Sequence, residues 1–585
     1  MQKFKPLIWI SLLVLFLISC ASLEDDGVVY PTPTFAIDID SPSIQEVEIV
    51  KLENIIQETA VPFDYSRIEE SLEKDRIATI EAIPRINVNI DATVPTNRIS
   101  PYIYGLTLAE ENTVIDVRPT VYSWTGEAAA RYNILNDLGW NPGREFFYAN
   151  ESPFPDSAAP TRDFFALSSA IGASSSFLLP TMGWVAKDTS SCSFPDVERG
   201  TCTRGFESTC LSGSTRANPS QTSISITAED VANFVRLIKQ EGYEIDFLSL
   251  MFEPELWGVI HYDVHPECTT FEEILQTYQT YAAAVRDEAP EAELMGPGTC
   301  CWEFYFNSAA GDLDKAKHDN EDFIPWFLQQ MQAFDEAAGK RHLDVLEVHY
   351  FPQELDNDFD DEVVAEHRLR AYRSLFDPLY PDESYIREPV KLIPRMNDWI
   401  DEYYPGTKLA VSAWNFGAPN TFNGAMALAE VLGVYGREEL YYATYYPAIE
   451  RNTPAFYAFQ MYTNYDGFGG KFGDLALDVS VDQPDLISVY PSIDSETGNL
   501  HIILINKVRQ VQQFEVKIDW EGFESTGEGS IHLYSSWNAR EVETDPGIVG
   551  GATQMGQNQQ IIDLPGYSIM HMVLEPVAEQ SEELE

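Results

Sequence analysis

Basic residues are scarce in this chain. Lys and Arg total 37 against 93 Asp and Glu, so the formal net charge is −56. Such a surface is repelled by nucleic-acid phosphates and by anionic lipid headgroups, which excludes a DNA- or RNA-binding role. Long apolar runs are scarce as well. The run at 7–18 is too short for an ordinary spanning helix, and no later run is long enough to cross a bilayer. Cysteine is rare, with 7 in 585 residues, and no His neighbours these residues at zinc-ligand spacing, so no metal site is expected. Apolar surface is not lacking. A chain that is 44% hydrophobic and 12% aromatic builds a large packed core, which excludes wholesale disorder.

Lys3 and Lys5 precede the apolar run, which closes at Leu17-Ile18-Ser19-Cys20. The pattern reads as a secretory signal. The small residue before a lone Cys resembles a bacterial lipobox, with Cys20 lipidated and becoming the mature N-terminus. The expectation is an exported, acidic lipoprotein on the extracytoplasmic face, touching the membrane through that anchor only. Setting Cys20 aside leaves 7 − 1 = 6 cysteines, at 192, 202, 210, 268, 300 and 301. An even number in an exported chain favours disulfides. One pair is expected within the 192–210 loop, and another joins Cys268 to Cys300 or Cys301.

Residues 1–20 thus form the signal segment, and 21–84, acidic and Pro-punctuated, read as a stalk. From 85 to 470 short apolar runs alternate with amphipathic helical stretches. The strand candidates are 176–181, 247–252, 293–296, 343–350 and 409–414, and the helix candidates 228–241, 271–288, 323–338 and 423–435. Strand-then-helix repetition over this length predicts an α/β fold, a closed parallel (β/α)₈ barrel. Residues 471–575 change to alternating strands with turn signals and predict an all-β, sandwich-like domain, which 85–100 joins from the other end. An acidic tail, 576–585, follows.

In such a barrel the chemistry sits at the C-terminal ends of the strands. Five predicted ends carry aromatic or ionisable clusters: Tyr122-Ser123-Trp124, Gly183-Trp184, Phe252-Glu253-Pro254-Glu255-Leu256-Trp257, His349-Tyr350-Phe351-Pro352 and Ala413-Trp414-Asn415-Phe416-Gly417. Aromatic rings stack on the apolar faces of pyranoses while carboxylates bind hydroxyls or transfer protons. Any single ring among these is more often barrel core; five together point to a saccharide cleft.

Glu253-Pro254-Glu255-Leu256-Trp257, followed by His261-Tyr262-Asp263-Val264-His265-Pro266, resembles glycoside hydrolase family 44. Arg131-Tyr132-Asn133, Arg341-His342-Leu343-Asp344, Tyr404-Pro405-Gly406-Thr407 and Tyr462-Thr463-Asn464-Tyr465-Asp466-Gly467 resemble it in the same order. The resemblance covers about residues 86–575. It implies a retaining endo-β-1,4-glycanase scaffold for cellulose-like glucans and xyloglucan, with Glu253 in the acid/base place. The family can carry a structural calcium, but no dense Asp/Asn loop here requires one, so no cofactor is expected.

Three positions depart from the family pattern. The nucleophile, a Glu in a Thr-Glu-Tyr-Asn-Trp-Gly-type segment, falls on Ala413. The Asn before the acid/base falls on Phe252. The Arg-x-Gly-Gly-Asn segment falls on Ser123-Trp124-Thr125-Gly126-Glu127, losing its Arg and Asn. Retaining hydrolysis needs two carboxylates about 5–5.5 Å apart, so the departures imply a lost nucleophile. The expectation is β-glycan binding without retaining hydrolysis, with Trp124, Glu127, Trp184, Trp257, His349, Tyr350 and Trp414 lining the groove. The alternative is a rebuilt glycosidase in which Glu127 or Glu347 serves as base to Glu253 across about 6.5–9.5 Å.

Overall fold

The computed structural model describes residues 84–577 except 153, 155–156, 197–200, 204–209, 211–216, 356–361, 509–513 and 537–546. The signal segment with Cys20, nearly all of the stalk and the last eight residues of the tail lie outside the described residues.

Strand β1 (Arg85–Asp91) alternates exposed and buried positions, as a strand with one face on a core must. Eight strands then close a parallel barrel in chain order: β2 (Tyr102–Thr107), β3 (Val121–Trp124), β4 (Ser174–Leu178), β5 (Phe247–Ser249), β6 (Glu293–Thr299), β7 (Val345–Tyr350), β8 (Lys408–Trp414) and β9 (Tyr442–Tyr445). Each is followed by a helix: α1 (Glu111–Val117), α2 (Pro160–Ile171), α3 (Ala228–Gln240), α4 (Phe271–Arg286), α5 (Phe323–Ala338), α6 (Leu392–Tyr403), α7 (Phe422–Arg437) and α8 (Pro454–Thr463). Local chemistry sets several starts. Thr227 and Asp230 form a capping box at α3, and the hydroxyls of Thr270, Thr421 and Thr453 cap α4, α7 and α8.

Side chains fill the barrel interior. Val121, Phe247, Met295, Val345, Ala410 and Tyr442, one from each of six strands, form an apolar plug towards the strand starts. Nearer the C-terminal ends the lining turns polar. Glu347 is buried there and accepts a hydrogen bond from Ser249 Oγ at 2.7 Å.

The chain continues as β10 (Asp478–Val481), β11 (Ile487–Ile493), β12 (Leu500–Asn506), β13 (Phe514–Glu521), β14 (Ser525–Ser535), β15 (Val549–Gln554), β16 (Gln559–Leu564) and β17 (Ser568–Pro576). One sheet has the order β10-β1-β13-β16. The other includes β11-β12-β17-β14-β15. Ile86, Val88 and Ile90 of β1 pack in the same core as Val516, Ile518 and Ile502, so the first described strand completes the last domain.

Helix α7 is caught between barrel and sheet. Every residue from Asn423 to Gly436 is buried, because the barrel covers one face and β11 the other. Tyr490 of β11 donates its hydroxyl to Glu430 Oε2 at 2.7 Å, and Lys507 Nζ lies 3.6 Å from Glu430 Oε1. Gly433 permits this approach. A Cβ there would lie 2.5 Å from the Tyr490 ring. Gly433→Ala is expected to cost about 1–3 kcal/mol by overpacking, read as a lower Tm. An unchanged Tm would contradict the packing described.

Candidate functional site

Glu253 follows the end of β5 with φ 44°, a left-handed conformation uncommon for a residue with a Cβ. Contacts from two neighbouring strands hold it there. Its N–H donates to Gly298 O at 2.9 Å, beside the end of β6, and its Oε1 lies 2.9 Å from Nδ1 of His349 on β7. Gly298 has φ 69°, and a Cβ on it would lie 2.3 Å from Met251 O, so glycine is required for the close approach.

Glu127, from the loop after β3, approaches the same carboxyl. Its Oε2 lies 3.0 Å from Nε2 of His261, and it stands near enough to Glu253 to feel that group's charge. Burial, then repulsion by Glu253, holds Glu127 well above the usual carboxylate range. Burial, reinforced by Arg131 and His265, pushes His261 well below its ordinary value. His261 is neutral, and its contact with Glu127 is a hydrogen bond rather than an ion pair. Glu255, buried beside them, is pushed up to about 8 by burial above all.

A fork fixes the two loops that carry these groups. Arg131 Nη1 and Nη2 donate to Asp263 Oδ1 and Oδ2 at 2.8 and 3.1 Å, with both side chains fully buried. Ser193 and Ser223 complete the shell by bonding Asp263 and Arg131 respectively. Arg131 stands four residues after Glu127 and Asp263 two after His261. The fork thus sets the register of Glu127 against Glu253.

The end of β8 offers no carboxylate. Ala413 is fully buried and pairs in register with His349. The Phe252 ring packs against His349, 4.6 Å between centroids, and against Tyr446 just after β9, at 5.5 Å. Since β8 lies between β7 and β9, Phe252 bridges the strand end at which Ala413 stands. Among the described residues no group of three or more His, Cys, Asp or Glu side chains is arranged to hold a metal ion.

Of the residues singled out from sequence, the structure gathers Glu127, Glu253 and His349. The aromatic set is placed differently. Trp124 is fully buried among Tyr132, Phe154, Phe164 and Phe177. Trp414 is fully buried against Tyr435 of α7 and Tyr445. Tyr350, its register partner, is buried on the same side. The physical reason is strand alternation: these rings take the outward phase, towards the helices, while His349 takes the inward one. Trp257 is buried too, donating Nε1–H to Phe252 O at 3.0 Å. Trp184 is half-buried on a short strand pair away from the barrel sheet. Glu347 stays inside the barrel, held by Ser249.

Sequence reasoning passed over His261, Tyr446 and Phe351 as site residues. His261 lies within the quoted motif, eight residues beyond Glu253, and a buried His so placed was a usable signal. The half-buried rings of Phe351 and Tyr446, 6.4 Å apart, stand at the mouth beside the carboxyl pair. The disulfides also differ from expectation. Cys192–Cys202 forms within the loop, but Cys268 pairs with Cys210, and Cys300 with its neighbour Cys301. Cys210 itself lies close over Gly258, within reach of Cys268.

The raised Glu127 has a pH signature. Above the ordinary glutamate value of 4.5 the unfolded chain releases the Glu127 proton while the folded one keeps it. The unfolded state then binds fewer protons, so this site's contribution to stability falls as pH rises. Glu127→Gln removes that loss. Its Tm, relative to wild type, is expected to climb as pH rises above about 4.5 and to show no such climb at lower pH. A difference that does not vary with pH would mean that Glu127 is ionised in the folded state.

Residues 139–354 match the model of glycoside hydrolase family 44. The chain is 29% identical over 477 residues to a β-mannanase/endoglucanase A of Caldicellulosiruptor saccharolyticus and 30% identical over 342 residues to an endoglucanase A of Paenibacillus lautus. These matches take in 74% and 56% of this chain but only 35% and 48% of those proteins, so it spans about a third to a half of their length. Among solved structures it superposes on a bifunctional glucanase-xylanase from a metagenome library with a TM-score of 0.77, at 27% identity, covering 84% of this chain and all of the other. A family 44 endoglucanase from Clostridium thermocellum gives 0.71 at 25% identity over the same shares. The barrel with its β-domain, the ordered motifs and these matches agree: the chain is similar to glycoside hydrolase family 44 in sequence and fold.

Proposed function

We propose that this protein binds β-1,4-linked polysaccharide of the glucan or xyloglucan type without retaining hydrolysis, as an exported lipoprotein anchored through Cys20. One observation carries the reading: the strand end that should present the nucleophile presents Ala413, bridged by the Phe252 ring. A methyl group forms no glycosyl intermediate. Glu253 keeps the acid/base place, and the carboxyl nearest it in charge is Glu127, on the loop after β3. Carboxyl groups make hydrogen bonds to sugar hydroxyls, and Phe351 and Tyr446 supply ring surface beside them.

The relatives' names supply the ligand class. They are described as endoglucanase, β-mannanase and glucanase-xylanase, and a structure of a Paenibacillus polymyxa xyloglucanase at 24% identity has the same fold. A hydrolase that works through Glu127 and Glu253 is the second reading. It requires the two carboxyls to stand about 6.5–9.5 Å apart, with a water between them.

Purified protein would be offered soluble β-glucans, xyloglucan and mannan, with binding and reducing-end release scored together. Binding without reducing ends is expected. Turnover that vanishes in Glu253→Gln would contradict it. Ala413→Glu alone is expected to restore little activity, because Phe252 crowds the new carboxylate and Glu127 occupies its partner. Ala413→Glu with Phe252→Asn, Ser123→Arg and Glu127→Asn is expected to exceed it, since groups acting as a unit are not additive.

A further inference from the structure

We infer that three buried histidines form an acid-sensitive clasp between the β-domain and helix α8 of the barrel. Strand pairing sets them side by side. His532 of β14 stands directly opposite His571 of β17, and His501 of β12 stands opposite Val573, two residues further along β17. Side chains two apart on a strand share a face, so all three lie on one face of the sheet. All three are buried. Helix α8 and the loop after it cover that face. His571 Nδ1 lies 2.8 Å from Met461 O of α8, and the Tyr465 ring stands against His571 and His532, 4.2 and 4.7 Å between centroids. Phe472 closes the edge, 5.9 Å from His571 and 6.3 Å from His501.

The hydrogen bonds fix where the protons sit. A carbonyl only accepts, so His571 Nδ1 carries a hydrogen and donates it to Met461 O. In neutral His571 the other nitrogen, Nε2, is then a bare acceptor, and His501 Nδ1, 2.9 Å away, donates to it. His501 Nε2 is left as a lone pair, buried and without a hydrogen-bond partner among the described residues. Donation thus runs one way, from His501 to His571 to α8, and only while His571 is neutral. A proton on His571 sets one N–H against another and breaks the link. A proton entering at His501 Nε2 places a cation beside His571 in a buried gap. The ionisable groups facing the three rings are Asp494, just after β11, towards His501, Asp466 towards His532, and Tyr465, whose hydroxyl burial pushes up to about 12. They do not offset the desolvation. Burial above all holds His571 well below its ordinary value, pushes His501 down to about 4 and lowers His532. Below the ordinary histidine value of 6.5 the unfolded chain takes up protons that the folded clasp refuses. The unfolded state then binds more protons, so the clasp loses stability as pH falls. Its loss reaches the barrel mouth, because Ala455 of α8 donates its N–H to Pro419 O in the loop after β8. The clasp does not depend on the glycan reading proposed above.

The test compares the full chain with its His501→Asn variant by urea unfolding between about pH 7.5 and about pH 4.5. The Asn amide keeps a donor for His571 but takes up no proton. The folding equilibrium constant of wild type, relative to the variant, is expected to be level above about pH 7 and to fall about tenfold for each pH unit below about 6.5. A ratio that stays flat over the whole range would overturn the clasp. Near-UV circular dichroism checks that the variant folds. If it does not, hydrogen exchange of the wild type decides. Amides of α8 and β17, corrected for intrinsic rates, are expected to lose protection at about pH 5 relative to about pH 7, while those of α3 on the barrel wall keep theirs. Unchanged protection in α8 and β17, or an equal loss in α3, would overturn the inference.

Discussion

The buried fork between Arg131 and Asp263 constrains everything else at the barrel mouth. Neither Glu127 nor Glu253 is free to retreat. Glu253 is held from β6 through Gly298 and from β7 through His349, at a backbone conformation that those contacts impose. Glu127 is carried in by a loop whose position the buried Arg131–Asp263 fork sets, and the same fork brings His261 to its far side. Breaking a buried, forked ion pair by removing one partner typically costs about 3–5 kcal/mol, so the loops are not loosely apposed. Burial and the charge of Glu253 together raise Glu127 above the usual carboxylate range, which in the proposed reading suits hydroxyl binding.

The strand that would supply the nucleophile is no less firmly built than its neighbours. Arg368 is fully buried and donates to Phe416 O, to Leu355 O and to the Asn423 carboxamide, tying the loops after β7 and β8 to the start of α7. Helix α7 is then clamped by the β-domain through Tyr490, Lys507 and the close approach at Gly433. The second domain thus acts on the site from a distance, as a brace behind β8. Ala413 is a change of chemistry on an intact frame. Phe252 fills space where the family pattern has a polar side chain, and its ring gives the mouth an apolar floor.

Much of the frame was legible in the sequence because it rests on periodicity. Helix α5 spans 323–338 in both readings, the apolar runs at 247–252 and 343–350 contain barrel strands, and the run at 409–414 lies within one. The strand β9 (Tyr442–Tyr445) escaped because four buried residues show no alternation, and Tyr446 escaped with it. The aromatic residues misled for a related reason. Whether a strand-end ring points into the mouth or out to the helices depends on strand phase and on the register shift between Val348 and His349, which no local pattern discloses. Glu127 stood out by its residue type, but its approach to Glu253 depends on a fork between residues 132 positions apart. The pairing of Cys210 with Cys268 likewise depends on a loop path that spacing does not encode.

The most direct trial of the missing nucleophile is covalent trapping. Retaining hydrolysis passes through a glycosyl–enzyme bond, and a 2-deoxy-2-fluoro cello-oligosaccharide with a good leaving group halts the reaction at that stage. Intact-mass spectrometry of the protein after prolonged incubation is predicted to show an unmodified chain, while the same reagent still binds reversibly. A mass increase of one glycosyl unit, mapped by peptide sequencing to Glu127 or to any other carboxylate at the barrel mouth, would contradict the account.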